Sequence, residues 1–430
     1  MEKTNMREQE TGQELERALL VGVDIGEEDD FEHSMEELGS LAEACGMQVA
    51  GIITQRLDAP NKALYVGSGK VEEIREYAGQ CGAEIIVFDN ALSPSQIRNL
   101  NQELGLPILD RTTLILDIFA LRAQTREAKL QVETARLQYL LPRLVGMHDA
   151  LSRQGGASGS MSNKGTGEKK LELDRRKIEH QISELRKELA EVEQGRNIRR
   201  QRRLQSRTPQ VALVGYTNAG KSTVMNRLVE LYGQASEKTV LEKDMLFATL
   251  ETSVRAIETG DNKPFFLVDT VGFIHKLPHG LVKAFRSTLE EVRYADLLVQ
   301  VVDVSDPRYR QQMEVTRQTL EELEAGDIPM VIVYNKSDLS DRAYPRLAGD
   351  HIYMAAASGE GLEDLVSLIK EKVYADQVDC KFLFPYDRGG AAAYFMEHAT
   401  VTKQEYREDG LYLEVNCHRQ DVGKYQQYLV

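Results

Sequence analysis

The sequence predicts an α/β fold that contains a phosphate-binding loop, and three observations support this prediction. Residues 215–222 read Gly-Tyr-Thr-Asn-Ala-Gly-Lys-Ser, which is the complete G-x-x-x-x-G-K-[ST] pattern. An apolar run at 211–214 precedes the loop and a helical pattern follows it, which is the context that this motif requires. In the N-terminal third, apolar runs alternate with helical patterns, as is typical of a largely parallel sheet.

The N-terminal part, residues 1–124, is predicted to form a small α/β domain. Residues 67–70 read Gly-Ser-Gly-Lys before a helical pattern and could form a second phosphate site. Because the full loop spacing is absent, a tight turn with a solvated lysine is the simpler interpretation. The expected strands are 18–25, 47–53, 63–66, 83–88 and 106–109, and the expected helices are 31–45, 71–78 and 94–104.

Residues 125–207 are predicted to form a long helical hairpin. Apolar residues recur every three or four positions from Leu130 to Leu144 and again from Leu171 to Val192. Pro142 argues for a kink or an end in the first helix. The segment 152–168 is rich in Gly and Ser and is expected to be the loop at the tip. Arginines at 196–207 could contact RNA phosphates or form a solvated linker, since nearby glutamates would repel phosphate.

Residues 208–374 carry further motifs in the order expected of a guanine-nucleotide site. Residues 269–272 read Asp-Thr-Val-Gly and end an apolar strand, so that the carboxylate can hold a Mg²⁺-bound water and Gly272 can reach the γ-phosphate. Residues 335–338 read Asn-Lys-Ser-Asp and end another strand. The Asp338 carboxylate can accept two hydrogen bonds from guanine, a pattern that adenine does not offer. Residues 356–359 follow a third strand and could meet the guanine O6 with backbone N–H groups.

The predicted cofactor is Mg²⁺, with Ser222 and Thr249 as hydroxyl ligands and Asp269 acting through water. Thr252 is the nearest alternative to Thr249, and either residue could simply begin a strand. Phe273 follows Gly272 where many GTPases carry a glutamine that orients water, so unaided hydrolysis is expected to be slow. His275 and His279 could supply the missing group, although they are more simply polar residues of a loop.

Composition excludes several classes of protein. The chain of 430 residues has a net charge of −15, so it is not a polycation that coats nucleic acid. Its four cysteines form no C-x-x-C pair, so neither zinc nor a disulfide framework is indicated. The first 17 residues are polar, and no apolar run approaches a membrane span. We therefore expect a cytoplasmic, reduced monomer. Residues 375–430 are predicted to form a small α+β interaction domain with a hairpin at 408–410.

Because of these motifs, the whole chain resembles the HflX-type GTPases, a prokaryotic ribosome-associated group within the translation-factor-related class of GTPases. The resemblance is carried by residues 65–73, 109–112, 128–133, 140–144, 152–156, 174–176, 247–250 and 269–274. It implies GTP hydrolysis, binding to the large (50S) ribosomal subunit and its rRNA, and a role in dissociating ribosomes. It also favours Thr249 over Thr252 as the magnesium ligand. The chain departs from the family at 164–170, Lys-Gly-Thr-Gly-Glu-Lys-Lys, where Arg-Gly-Pro-Gly-Glu-Thr-Gln is usual, and at Ala355, where serine is usual.

The predicted site has three groups of residues. Lys221, Thr249 and Gly272 are assigned to hydrolysis. Nucleotide contacts are predicted for Gly215, Tyr216, Thr217, Asn218, Ala219, Gly220, Lys221, Ser222, Phe247, Ala248, Thr249, Leu250, Glu251, Asp269, Thr270, Val271, Gly272, Asn335, Lys336, Ser337, Asp338, Ala356, Ala357 and Ser358. Candidate RNA contacts are Arg153, Lys164, Lys169, Lys170, Arg199, Arg200 and Arg203. Two alternatives stay open: an ATP- or GTP-dependent RNA remodeller with a second nucleotide site in the N-terminal domain, and a regulatory GTPase switch that acts away from the ribosome. No DNA partner is expected.

Overall fold

The protein is described from a computed structural model, which covers residues 15–26, 31–154, 164–205, 208–233, 247, 252–276 and 291–430. Within 144–171 and 196–205 only the backbone is described. The described residues form two compact units. The first comprises the residues up to Gln194 together with Lys276, and the second comprises those from Gly195 to His275 and those after position 290.

The first unit is built on a four-stranded parallel sheet in the order β2-β1-β3-β4. Its helices α1 to α4 cover the sheet, and the core between them is apolar. The strands are β1 (Arg17–Asp24), β2 (Gln48–Arg56), β3 (Ile85–Phe88) and β4 (Ile108–Asp110), and the helices are α1 (Phe31–Ala44), α2 (Ser68–Cys81), α3 (Pro94–Leu104) and α4 (Arg111–Arg122). The predicted small α/β domain is therefore confirmed as a fold.

The strand predicted at 63–66 is wrong. The Asn61 side chain accepts hydrogen bonds from the backbone N–H groups of Ala63 and Leu64, which closes a turn at this point. The neighbouring Gly67 is the N-cap of α2, and its N–H donates to the Gln55 side chain. In the same turn of α2, Lys70 pairs with Glu73 at 2.6 Å.

A buried group of charges lies at the carboxyl end of this sheet; we call it the N-terminal charge cluster. Asp89, directly after β3, is fully buried and lies 2.7 Å from the Arg111 guanidinium at the start of α4. Arg111 also pairs with Glu37 of α1, and the Ser34 hydroxyl donates to Asp89 at 2.7 Å. Lys276 completes the cluster, with Nζ 2.5 Å from Asp89 and 2.8 Å from the Ser34 hydroxyl. Each charge in the cluster therefore has an opposite charge in contact.

Two long helices follow, α5 (Arg126–Gln154) and α6 (Lys164–Gln205). Arg126, at the start of α5, pairs with Glu188 at 2.8 Å, which brings the start of α5 beside a position 24 residues into α6 and gives an antiparallel hairpin. Pro142, where a kink or an end is expected, lies inside α5, so the helix does not end there. Of the loop expected at 152–168, residues 152–154 and 164–168 are helical, and 155–163 lie outside the described residues.

The second unit contains a seven-stranded sheet in the order β10-β11-β9-β8-β5-β7-β6. Its central strands are parallel, and β6 and β10 pair antiparallel at the two edges. The strands are β5 (Gln210–Val214), β6 (Ser253–Ile257), β7 (Phe265–Asp269), β8 (Leu297–Asp303), β9 (Met330–Asn335), β10 (Arg346–Ala348) and β11 (His351–Tyr353), with helices α7 (Lys221–Tyr232), α8 (Tyr309–Glu322) and α9 (Leu362–Val373). Every predicted nucleotide motif that is described lies at the carboxyl end of a parallel strand or in the loop that follows one.

The C-terminal residues form an antiparallel sheet in the order β12-β14-β13, with a core built on Phe382, Phe384 and Phe395. The elements are β12 (Gln377–Phe384), α10 (Gly389–His398), β13 (Thr400–Arg407), β14 (Gly410–His418) and α11 (Arg419–Lys424). The expected α+β composition and the hairpin at 408–410 are confirmed. Among all the helices described, none combines the length and apolar character needed to cross a membrane.

Candidate nucleotide-binding site

The phosphate-binding loop runs from the end of β5 to the start of α7, and two of its glycines are required by space as well as by conformation. Gly215 and Gly220 have φ values of +140° and +95°. A Cβ on Gly215 would lie 2.2 Å from the Val301 carbonyl oxygen, and one on Gly220 would lie 2.2 Å from Asn335 Nδ2. Only glycine lets the backbone pass at these points, and a loop of this kind can offer its N–H groups to a phosphate.

Lys221 begins α7 and is 6% exposed. Its ammonium donates to the carbonyl oxygens of Gly215 at 3.0 Å and Tyr216 at 2.7 Å. Within the described part of the chain, no carboxylate forms an ion pair with it. Burial lowers the pKa of Lys221 to about 8, and the nearby Asp269 only partly opposes this effect. A buried cation without an ionic partner is a site prepared for an anion such as phosphate.

The predicted metal ligands meet beside Lys221. The Ser222 hydroxyl donates to Asp269 Oδ2 at 2.9 Å, and Asp269 is fully buried at the end of β7. A hydroxyl and a carboxylate are oxygen ligands of the kind that Mg²⁺ prefers. The residues therefore fit a magnesium ion that Ser222 would bind directly and Asp269 through water. Such an ion would neutralise charge on the β- and γ-phosphates.

The segment after Asp269 is paired with the phosphate-binding loop. The N–H of Phe273 donates to the Gly215 carbonyl at 3.1 Å, and the N–H of Thr217 donates to the Phe273 carbonyl at 2.8 Å. Phe273 is 1% exposed. From the sequence, Phe273 is only a residue that cannot orient a water molecule. The structure adds that its side chain is buried, so Phe273→Ala would also remove packing beside the phosphate-binding loop.

The segments predicted to bind guanine share one anchor, Asn335. Its Nδ2 donates to the Ala219 carbonyl at 3.0 Å, and its Oδ1 accepts from the Ala356 N–H at 2.9 Å. One buried amide therefore links the phosphate-binding loop, the 335–338 segment and the 356–358 segment. Asp338, in contrast, is exposed and turned to solvent, where a base can reach it.

Lys336 has a φ of +57° and pairs with Asp303 at 2.7 Å. Sequence reasoning missed Asp303, although its place at the end of β8, beside β5, was a signal that could have found it. The bridging role of Asn335 and the contacts of the Tyr216 hydroxyl were missed as well, because they depend on partners far away in the chain. Ser337 and Thr270 are buried and hydrogen-bonded to backbone carbonyls, so they support the loops.

The predicted site residues outside the loops above are described to different extents. Thr249, Ala248, Leu250, Glu251 and His279 lie outside the described residues, whereas Phe247 is described and buried. Thr252, the alternative metal ligand, is partly buried just before β6. Of the RNA candidates, Arg153, Lys164, Lys169, Lys170, Arg199, Arg200 and Arg203 lie on helices, and their side chains are not described.

Taken together, a strand–loop–helix with a buried lysine, a paired Ser–Asp and an Asn-Lys-Ser-Asp loop at the end of a neighbouring strand define a P-loop GTPase. Family models agree along the chain: GTP-binding GTPase N-terminal over residues 32–120, GTP-binding GTPase Middle Region over 122–203, and 50S ribosome-binding GTPase over 210–336. The chain belongs to the HflX family of GTPases, and it is a GTP-hydrolysing enzyme.

The relatives that show this match nearly the full chain. GTPase HflX of Caldanaerobacter subterraneus is 42% identical over 95% of this chain and 93% of the relative. GTPase HflX of Escherichia coli is 39% identical over 92% of each. Among solved structures, a GTP-binding protein from Sulfolobus solfataricus in complex with GDP is similar at 25% identity and a TM-score of 0.44, covering 84% of this chain and 99% of that one.

Proposed function

We propose that this chain is a magnesium-dependent GTP hydrolase that binds the large ribosomal subunit and acts in ribosome dissociation, recycling or biogenesis, particularly under stress. The observation that carries the proposal is the match of residues 210–336 to a family described as 50S ribosome-binding GTPase. The helical hairpin supports it. Helices of 29 and 42 residues are about 44 Å and 63 Å long at 1.5 Å per residue, which gives the hairpin an extended surface for a contact with RNA.

Specificity for guanine rests on Asp338 in this proposal. Asp338→Asn replaces an acceptor by a donor facing the guanine N1 and N2 edge, and we expect GTP affinity to fall by about 2–4 kcal/mol. Competition binding with GTP, XTP and ATP measures this loss and any gain for XTP. Leu339→Asn, at an exposed neighbouring position, is the matched control and should leave all three affinities as they were. Unchanged GTP affinity in the Asp338 variant would show that this loop does not read the base.

The ribosomal partner is tested by sedimentation of the GTP-analogue-bound protein with separated subunits and with intact ribosomes. We expect the protein to travel with the large subunit. Replacing 155–167 by a short linker should spare GTP binding and abolish ribosome-stimulated hydrolysis or subunit dissociation, because it removes a contact remote from the nucleotide. Lys187→Ala, which changes an exposed lysine on α6 outside the stretches that resemble the family, is the control. If the replacement leaves stimulated turnover and subunit separation at parental levels, the RNA contact lies elsewhere, for instance in the arginines of 196–207.

A further inference from the structure

Tyr216 links the start of the phosphate-binding loop to the segment that follows Gly272. Its hydroxyl accepts a hydrogen bond from the His275 N–H at 2.7 Å, and its side chain is 6% exposed. On either side of Tyr216, the Gly215 carbonyl and the Thr217 N–H bond to the backbone of Phe273. Three successive loop residues, 215–217, thus make three hydrogen bonds to the segment 273–275. The bond from Tyr216 is the one that a side chain makes.

This linkage places Gly272 directly against the loop. A Cβ on Gly272 would lie 2.8 Å from Thr217 Cα and 3.0 Å from Lys221 Nζ. Gly272 is the residue whose N–H is assigned to the γ-phosphate, and Lys221 is the residue assigned to the β- and γ-phosphates. The position of the segment relative to the lysine therefore decides whether both groups can reach the same phosphate.

The same loop carbonyls also hold Lys221. The Gly215 carbonyl accepts from both the Phe273 N–H and the Lys221 ammonium, and the Tyr216 carbonyl accepts from the ammonium at 2.7 Å and from the Ala219 N–H at 3.4 Å. When Lys221 turns to a phosphate, Gly215 keeps only the Phe273 bond. The Tyr216 hydroxyl bond to His275 involves neither the ammonium nor these carbonyls, so it persists through that change.

We propose that Tyr216 is a positioning residue for GTP hydrolysis. Its hydroxyl holds the Phe273–His275 stretch beside the loop, so that the Gly272 N–H already faces the place of the γ-phosphate when GTP binds. GDP lacks that phosphate, so its binding does not use the positioned N–H. This role goes beyond the proposed ribosomal function, because it concerns the chemical step in the isolated protein.

The test is Tyr216→Phe, which removes one oxygen and keeps the ring that fills the site. We expect kcat for GTP hydrolysis, measured without ribosomes, to fall about threefold to tenfold, as for loss of one positioning hydrogen bond. KM for GTP and the dissociation constant of GDP should stay within about twofold of the parent. Amide hydrogen exchange at His275 should accelerate, which reports the broken bond directly.

Tyr232→Phe is the matched control, since Tyr232 is a partly buried tyrosine at the far end of α7 and packs on the core of the same sheet. It should change none of these quantities. The proposal is overturned by an unchanged or higher kcat in Tyr216→Phe, or by unchanged exchange at His275. It is also overturned if GDP affinity falls in step with kcat, because Tyr216 would then support the loop as a whole.

Discussion

Both sheets bury charged groups at the carboxyl ends of their parallel strands, but the charges are balanced in opposite ways. In the N-terminal charge cluster, Asp89 contacts Arg111 and Lys276. Burial alone would raise the pKa of Asp89, yet these two cations outweigh burial and lower it. In the nucleotide site, the Lys221 ammonium donates to two carbonyl oxygens and forms no ion pair with any described residue, and burial lowers its pKa to about 8.

The difference separates a structural group of charges from a ligand site. Asp89 stabilises the fold at neutral pH because its folded-state pKa is below its unfolded value; this contribution is present above about pH 4 and is lost as pH falls further. The Lys221 charge has the opposite effect on the stability of the fold. Its pKa of about 8 lies below the ordinary lysine value of 10.5, so its charge lowers stability below pH 8, and this cost disappears as pH rises toward 10.5.

The largest effect is expected in the N-terminal charge cluster. Arg111→Met leaves Asp89 and Glu37 buried without their guanidinium, and we expect a loss of about 3–5 kcal/mol in the free energy of unfolding. Urea unfolding of the nucleotide-free protein, followed by hydrogen exchange in β3 and β4, measures it. Arg75→Met is the control, because Arg75 is half exposed, and its pairs with Glu72 and Glu103 are worth about 1 kcal/mol or less. Equal losses in both variants would mean that the cluster is not a closed network.

Removal of the buried charge in the nucleotide site should change the free energy of unfolding in the opposite direction. Lys221→Met removes a buried ammonium that lacks an ionic partner, and we expect the nucleotide-free protein to gain about 1–3 kcal/mol while nucleotide binding is lost. The lost bonds to two carbonyls keep the gain below the full value of the pKa shift. Thermal unfolding and fluorescent-nucleotide titration measure the two effects. Lys381→Met, at a largely exposed position, should be neutral in both assays. Destabilisation by Lys221→Met at pH 7 would show that the ammonium already has enough partners.

The smallest expected effect is the uptake of a fraction of a proton when the nucleotide binds. Phosphate raises the pKa of Lys221, so GDP binding should take up roughly three quarters of a proton at pH 8.5 and roughly a tenth at pH 7.0. Calorimetry in buffers of different ionisation enthalpy gives this number. Affinity should correspondingly weaken as pH rises above 8. The same proton uptake at both pH values would contradict the low pKa and remove the contrast between the two charge groups.

Sequence patterns identified the parts of the nucleotide site that are contiguous in the chain. The loop at 215–222, the strand end at Asp269 and the segment at 335–338 each carry their own signal, since their chemistry needs particular residues at short spacing. The Asn335 bridge joins positions 116 and 21 residues apart, and the Tyr216–His275 bond spans 59 residues. No local pattern encodes such pairs.

The same limit explains the N-terminal domain. Alternating apolar runs predicted its strands and helices, but Arg111 reaches Glu37 over 74 residues, so the buried cluster had no signal. The strand expected at 63–66 failed for a local reason. An apolar run resembles a strand, but the Asn61 side chain accepts hydrogen bonds from the backbone N–H groups of Ala63 and Leu64 and so closes a turn over this run.

The division of labour between Asn335 and Asp338 bears on how this enzyme could be redesigned. Asn335 is 3% exposed and links three loops, whereas Asp338, three residues later, is exposed and is the residue that we propose to bind the base edge. The residue that links the loops and the residue proposed to bind the base are therefore separate side chains. A variant that uses a synthetic nucleotide therefore needs a substitution at position 338 and no repacking of the buried anchor. Such a variant could be activated selectively in a cell extract, because native GTPases would continue to use GTP.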